Sequence, residues 1–506
     1  MPNQKFMLPG RWASLALLAA MLCGSGARAD ITINRSFTVN QDVPDNSAVG
    51  LVDTRAITTA GLSTISDVNV GLSISSASGT TMRLGQMYST LTVGTASEGS
   101  RTAVLLNREG VSNTSAFGSA ISFLNVTLDD SAPTNIYNAT SGTGTYAPDG
   151  RLGVNPFGTR VAYDINQITA PLSALNGNWF DTWSLLVADA QTGNRARVNS
   201  WSLSMTGTAA SAGTLDAGVG AWIQSNRTGT ETIGATVHSG GAGASAVNVA
   251  AGNNQTMNLT GGLSGSGEFK KTGTGTIRIG GNSSNFTGTF SAEGGKVYVD
   301  GMMNAASRMV VKNGARLGGT GTVGTLEVAS GGTLAPGNSP GQLNVAGDAI
   351  WAGGGTYEWE INKFLGGTAG TNYDFLNIAG KLTITATALD KFLIDVISLM
   401  PSNRPGDADE FYPTFDFGFA IATAAGGIEG SLDGLQLDAS KFSNATTFPE
   451  WADQPTFTPG YFFLSKSDDG KSIFVNYARA IPEPSSGSLL AIGLGVALLN
   501  RRKRRA

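Results

Sequence analysis

Reactive side chains are scarce in this sequence: one histidine and one cysteine stand in 506 residues. A Ser–His–acid hydrolase would have to be built on His238, whose surroundings Thr236-Val237-His238-Ser239-Gly240-Gly241 read as an exposed Gly-rich turn with no nucleophile elbow nearby. Zinc centres are equally starved of ligands. Charge is also scarce, at 14% of residues against roughly 25% in an ordinary soluble domain. The hydrophobic fraction is 41% and mean hydropathy is near zero, which excludes both a disordered acidic chain and a polytopic membrane protein. What is abundant is glycine, at 69 positions, among many Thr, Ser, Asn and Val. That mixture predicts an all-β chain with frequent turns, and the length suggests two or three domains.

The two ends read as addresses rather than fold. Lys5 and Arg11 precede an apolar run from Ala13 to Cys23, and Ala27-Arg28-Ala29 offers a small-x-small cleavage site before Asp30. This is the layout of a secretory signal helix over residues 1–29. Cys23 follows Met21-Leu22, where a lipoprotein signal wants a small residue. Cleavage removes Cys23, so the exported chain is expected to hold no disulfide and to rely on packing and its hydrogen-bonded ladders.

At the other end, Ile481-Pro482-Glu483-Pro484-Ser485 leads into an apolar stretch from Gly487 to Leu499 and then Arg501-Arg502-Lys503-Arg504-Arg505. Thirteen apolar residues make a helix of about 20 Å, short for a ~30 Å hydrocarbon core. Snorkelling cations extend its reach, and five of them keep that end cytoplasmic with the bulk outside. The tripartite tail, residues 481–506, closely resembles the PEP-CTERM sorting signal, whose Pro-Glu-Pro stands here as Pro482, Glu483 and Pro484. The resemblance implies processing near that motif by an exosortase-type enzyme of Gram-negative bacteria that make exopolysaccharide, after transient anchoring in the inner membrane.

Setting aside the eight basic residues of the two ends leaves 25 of the 33 Lys and Arg against 37 Asp and Glu, a formal charge of −12. An acidic surface argues against nucleic acid as a partner and makes a divalent cation the natural counter-charge.

Residues 30–209 alternate polar and apolar residues in short runs, as in Val68-Asn69-Val70-Gly71-Leu72-Ser73-Ile74 and Trp183-Ser184-Leu185-Leu186-Val187. Period-two runs bounded by Gly, Asn, Asp and Pro predict antiparallel strands and a jelly roll or β-sandwich. Val43-Pro44-Asp45-Asn46, the strand at Ser66-Asp67-Val68, Trp183-x-Leu185-x-Val187-x-Asp189 and Asn199-Ser200-Trp201 resemble the P (Homo B) domain of secreted proteases. Asn194, Ala196 and Val198 depart from that family's pattern. Trp179, Trp183 and Trp201 read as core or rim aromatics. Asp67, Asp129, Asp130 and Asp189 are candidate calcium ligands, weighed against surface turn acids. With a signal directly before it, the module is expected to bind or protect rather than to modulate a linked peptidase.

Residues 210–221, rich in Gly, Ala, Ser and Thr, read as a linker. Residues 222–480 then turn repetitive. Gly265-Ser266-Gly267-Glu268-Phe269-Lys270-Lys271-Thr272-Gly273 is followed by Thr276-Ile277-Arg278-Ile279 and Asn285-Phe286-Thr287-Gly288, and apolar positions recur at Val310, Leu317, Leu326, Leu334 and Leu343. Such spacing predicts the rungs of a parallel β-helix. The run resembles the autotransporter-associated β-strand repeat over roughly residues 255 to 390, and Gly332 to Gly341 and Tyr373 to Ile378 resemble the later part of such passengers. No membrane barrel is expected after it.

Two patterns mimic chemistry. Ser465 to Ser472 looks like a phosphate loop, but strand-like flanks make Asp469-Gly470 a hairpin turn. Glu358-Trp359-Glu360 sets two carboxylates on one face of a strand, about 7 Å apart, a spacing an inverting glycosidase could use. The favoured reading is a non-catalytic, surface-sorted structural or adhesive protein of the envelope or exopolysaccharide matrix, with extracellular polysaccharide or surface proteins as partners. Its alternative is a secreted β-helix lyase or glycosidase built on those glutamates.

Overall fold

The computed structural model describes residues 30–479 apart from 58–61, 78–80, 96–98, 113, 153–164, 179–181, 211, 217–221, 226–227, 244–245 and 446–459. Ala27, Ala29, Trp179, Pro482, Glu483, Pro484, the apolar run 487–499 and the cluster Arg501 to Arg505 therefore lie outside the described residues. Within them, regular structure is β-strand with short 3₁₀ turns, and no helix is long and apolar enough to cross a membrane.

The first strands are β1 (Asp30–Asp42), β2 (Ser47–Ala56), β3 (Leu62–Ser76), β4 (Met87–Thr95), β5 (Gly99–Asn107), β6 (Leu124–Leu128), β7 (Thr143–Tyr146), β8 (Thr182–Asp189) and β9 (Ala196–Ala209). They form two layers, β1-β9-β3-β6-β7 facing β2-β8-β4-β5. Alternation along β3 explains the layering. Val68, Val70, Leu72 and Ile74 point into the core, while Asn69, Gly71 and Ser73 face outward. Trp183 and Trp201 are fully buried, as expected of core aromatics. The Trp201 indole N–H donates to Asp53 on β2 at 2.6 Å, tying one layer to the other.

From β10 (Thr214–Asp216) and β11 (Trp222–Ser225) onward the chain coils into a three-sided parallel solenoid. One face is a 9-stranded sheet from Gly229–Ile233 to Leu435–Lys441. The second runs from β11 to Ile428–Glu429, and the third is made of two sheets, one from β10 to Asn285–Phe286 and one whose parallel part runs from Asn282–Ser283 to Phe417–Ala424. Each inward residue stacks on its counterpart one coil on, Phe269 on Phe290 and Ile277 on Val297. The recurring positions Val310, Leu317, Leu326, Leu334 and Leu343 are all buried. Burying one such side chain contributes about 1.5–3 kcal/mol, and stacking repeats the gain at every coil. Gly262 turns a corner at φ +77, where a Cβ would strike the Asn282 carbonyl of the next coil. Toward the last coils the interior becomes aromatic, with Trp351 stacked on Phe392 at 4.8 Å. The hairpin Tyr461–Lys466 and Ser472–Ala478 closes the third face, with Gly470 at its turn, as expected of Asp469-Gly470.

The two regions share a sheet. β1 pairs with β9 on one side and antiparallel with β11 on the other, Asn34 opposite Trp222 and Ile33 opposite Ile223. The first coil's edge is thereby covered by the sandwich, an end cap against edge pairing. The expected linker, where described, supplies β10, whose Thr214 to Asp216 pair with Thr236 to His238. His238 is accordingly a strand residue, not an exposed turn residue. It is half-buried, with Nδ1 at 3.1 Å from Ser264 Oγ on the next coil.

Candidate functional site

Three of the four candidate calcium ligands share one end of the outer sandwich sheet, and the fourth does not. Asp67 follows the outward phase of β3, and Asp129 and Asp130 leave the end of β6, which pairs with β3. Burial, and then repulsion from Asp129 and Asp130, raises the Asp67 carboxyl above its ordinary value. Some of their oxygens are already engaged. Both of Asp130's accept from the Leu172 and Ser173 amides at 2.9 and 2.7 Å. Asp129 accepts from the Ser131 amide at 2.7 Å, and Asp67 from Asn69 at 3.2 Å.

Asp189 is fully buried at the end of β8. Its charged surroundings are Asp45 and Arg108, and burial pushes its carboxyl up to about 6. Among the described residues, no three His, Cys, Asp or Glu side chains group so as to hold a metal ion. Asp189 thus has charged neighbours different from those of Asp67, Asp129 and Asp130.

The glutamate pair lies on the solenoid strand Thr356–Ile361. Arg316 Nε donates to Glu358 at 2.8 Å. Glu360 is only 9% exposed, and burial raises its carboxyl against the opposing hydrogen bond from Ser339 and the charge of Arg316. Asp374 beside it is fully buried and clasps the Gly341 amide at 2.7 Å and the Glu360 amide at 3.1 Å. Desolvation pushes its carboxyl well above the usual range. Trp359 points the other way, into the core, its indole donating to the Asp374 carbonyl at 2.9 Å. This cluster clasps the 335–341 loop to the coil.

Two further polar groups lie buried without a sequence motif announcing a site. Lys271 is fully buried and donates to the carbonyls of Gly273, Gly275 and Gly294 at 2.6, 2.8 and 2.7 Å. Burial lowers its pKa to about 8, while the carbonyl dipoles hold the ammonium. In the sandwich, Arg151 pairs with Asp149 at 2.6 Å, both fully buried, beside buried Glu109. The sequence signal for the sandwich group was paired opposite charges in short runs, at Asn107-Arg108-Glu109 and Asp149-Gly150-Arg151, which the structure places just after β5 and in an irregular segment.

The outer face of the sandwich carries an open cleft of about 400 Å³. Two rows cross it. Trp222, Asn34, Ser204 and Asn69 lie side by side on β11, β1, β9 and β3. Ser36, Ser202, Gly71 and Thr127 form the next row on β1, β9, β3 and β6. Every side chain in both rows is uncharged, and the Trp222 ring is 41% exposed at one rim. Sequence reasoning passed over this face because Ser, Thr and Asn are what any turn-rich β chain carries. The usable signal was a lack of Lys and Glu at outward strand positions.

Residues 480–505 match the PEP-CTERM protein-sorting motif. The chain is 38% identical over 99 residues, 20% of its length, to an extracellular serine protease of Serratia marcescens, of which the match covers 9%. It is 30% identical over 169 residues, 30% of its length, to the adhesin BmaC autotransporter of Brucella suis biovar 1 (strain 1330), of which the match covers 5%. The chain thus spans less than a tenth of either relative. Both similarities accord with a β-rich surface protein.

Proposed function

We propose that this chain is a non-catalytic structural or adhesive protein of the bacterial envelope or exopolysaccharide matrix. Its sorting motif delivers it to an exosortase-type enzyme, and its solenoid serves as a stiff scaffold carrying the sandwich at one end. The observation that carries this reading is the sorting motif at 480–505 on the same chain as an all-β solenoid whose sheet continues into the sandwich. The part-length similarity to an adhesin supports it.

Export exposes the chain to matrix polysaccharides and surface proteins, and its acidic balance keeps nucleic acid away. Calcium plays no part in this reading. Asp130 accepts hydrogen bonds with both oxygens and Asp67 and Asp129 with one each, and on this reading a calcium titration should leave the melting temperature unchanged.

The test is intact-mass analysis and fractionation of the protein from its native host. The expected product begins near Asp30, ends near Pro484 and resides in the envelope or matrix. A cytosolic chain with Met1 and Ala506 still attached would refute the reading. The competing enzyme assignment is checked by incubating the chain with polysaccharides and assaying new reducing ends or unsaturated uronates. Turnover that disappears in Glu358→Gln and Glu360→Gln variants would establish catalysis instead.

A further inference from the structure

We infer that the cleft on the outer sandwich sheet binds a neutral, hydroxyl-rich polysaccharide chain, with Trp222 as its stacking platform. The inference rests on the surface role above and names the ligand class of its adhesive end. Four strands about 4.8 Å apart carry the Trp222-to-Asn69 row over about 14 Å, a length suited to an extended chain rather than a single small molecule. A sugar ring offers apolar C–H faces and a rim of hydroxyls. The exposed indole fits the first, and the serines, Thr127 and the asparagines exchange hydrogen bonds with the second.

Among the described residues, Asn34, Ser36, Thr127, Ser202 and Ser204 make no side-chain hydrogen bond. Asn69 keeps its Oδ1 buried and unpartnered, an acceptor that a saccharide hydroxyl would satisfy. Gly71 keeps the floor low, since a Cβ there would fall on Ser202 Oγ.

Charge complementarity selects the occupant. No cation lines the cleft, and the one charged neighbour bonded to it is Asp67, beside Asp129 and Asp130. A polyuronate or nucleic acid would be repelled. A peptide adding as a strand needs a free sheet edge, and here the backbone groups of β1, β9 and β3 are spent in ladders on both sides.

The experiment is affinity electrophoresis of the full chain in gels containing a mixed-linkage β-glucan, a mannan or alginate. At least one neutral polysaccharide should retard the chain, and alginate should not. Trp222→Ala should weaken the retardation by roughly tenfold or more, as for an aromatic anchor. Ser36→Arg, at an exposed position, should fill the groove and abolish it, with circular dichroism and melting unchanged in both variants. Equal retardation by alginate, no retardation by either neutral polymer, or wild-type retardation in both variants would overturn the inference. So would a protein partner captured through Trp222 in place of glycan. A chain found at the surface without glycan binding sinks the cleft alone. Glycan binding by a chain found intact in the cytosol sinks the surface role alone.

Discussion

The sandwich and the solenoid share a sheet, yet the cleft face of the one and the coil faces of the other use their outward polar groups differently. On the solenoid, charges are spent between coils: Arg278 with Asp300 at 2.7 Å, Lys312 with Glu293 at 2.8 Å, Arg316 with Glu358 at 2.8 Å and Lys381 with Glu429 at 2.6 Å. On the sandwich, two rows of hydroxyls and carboxamides face solvent without a charge among them. Strand geometry does not explain this, because β1 and β11 lie in one ladder. The demands of register do. A short-stranded parallel stack must be aligned at every coil, and cross-coil partners help to align it. The long antiparallel ladders of β1, β3 and β9 are held by a two-layer core, which leaves their outer face available for recognition.

The largest effects should come from breaking what each region relies on. Trp359→Ala removes a fully buried ring and the indole bond to the Asp374 carbonyl, and should cost about 3–5 kcal/mol in urea unfolding. A loss below about 1 kcal/mol would show that the last coils are not packed around it. Ile33→Pro attacks the joint instead. It removes a ladder N–H from a strand paired on both sides, leaving a buried carbonyl unpaired at about 1–3 kcal/mol. If the shared sheet couples the two regions, this variant should also split one unfolding transition into two, visible by calorimetry. An already split transition in the parent protein would break the comparison at its root.

Both architectures were legible because burial writes period two into the sequence. Val68-Asn69-Val70 and Thr276-Ile277-Arg278-Ile279 alternate just as their strands do. The joint was not legible, since the pairing of Asn34 with Trp222 links distant segments and leaves no local mark. Nor was the strand inside the expected linker, because Gly, Ala, Ser and Thr serve a tight coil corner as well as a flexible tether. His238 misled for the same reason, its Gly-rich neighbours being corner residues of a coil. The candidate site was only partly readable. Spacing could not tell that Asp189 sits apart from Asp67, Asp129 and Asp130, because residues at strand ends meet or separate according to topology.

Buried charge offers the next comparison, one cation in the solenoid against one acid in the sandwich. Lys271→Met leaves the Gly273 and Gly294 carbonyls without their ammonium donor, while the Gly275 carbonyl keeps the Lys296 amide, and should cost about 2 kcal/mol near neutral pH. Since the folded pKa is lowered to about 8 from 10.5, the penalty for burying the ammonium is full below pH 8 and eases as pH rises toward 10.5. The parent should gain stability relative to the variant over that window.

Asp189 runs the other way. Its folded pKa is raised to about 6, so its contribution is complete below the unfolded value near 3.8 and is lost as pH rises through 6. Asp189→Asn keeps the acceptor for the Gln191 amide and cannot ionise. It should melt like the parent near pH 4 and be more stable above pH 7, by about 1–2 kcal/mol. Equal melting at both pH values would mean that the buried carboxyl is no charged burden to the sandwich.

The smallest effect gives the sharpest test of how the regions differ. Arg308 and Glu327 pair across adjacent coils with side chains 54% and 24% exposed, and Arg197 and Asp42 pair across sandwich strands at 39% and 40%. By exposure alone, either pair should contribute about 0.2–1 kcal/mol and less in high salt. Arg308→Ala and Arg197→Ala should therefore lower stability by similarly small amounts if both pairs are mere surface contacts. If cross-coil pairs align the stack, Arg308→Ala should in addition loosen protection of the neighbouring amides Thr325 to Val328, read by hydrogen exchange, while Arg197→Ala leaves β1 and β9 protected. Matching exchange in the two variants would mean that register in the solenoid is held by the buried rungs alone, and that its outward charges serve solubility rather than alignment.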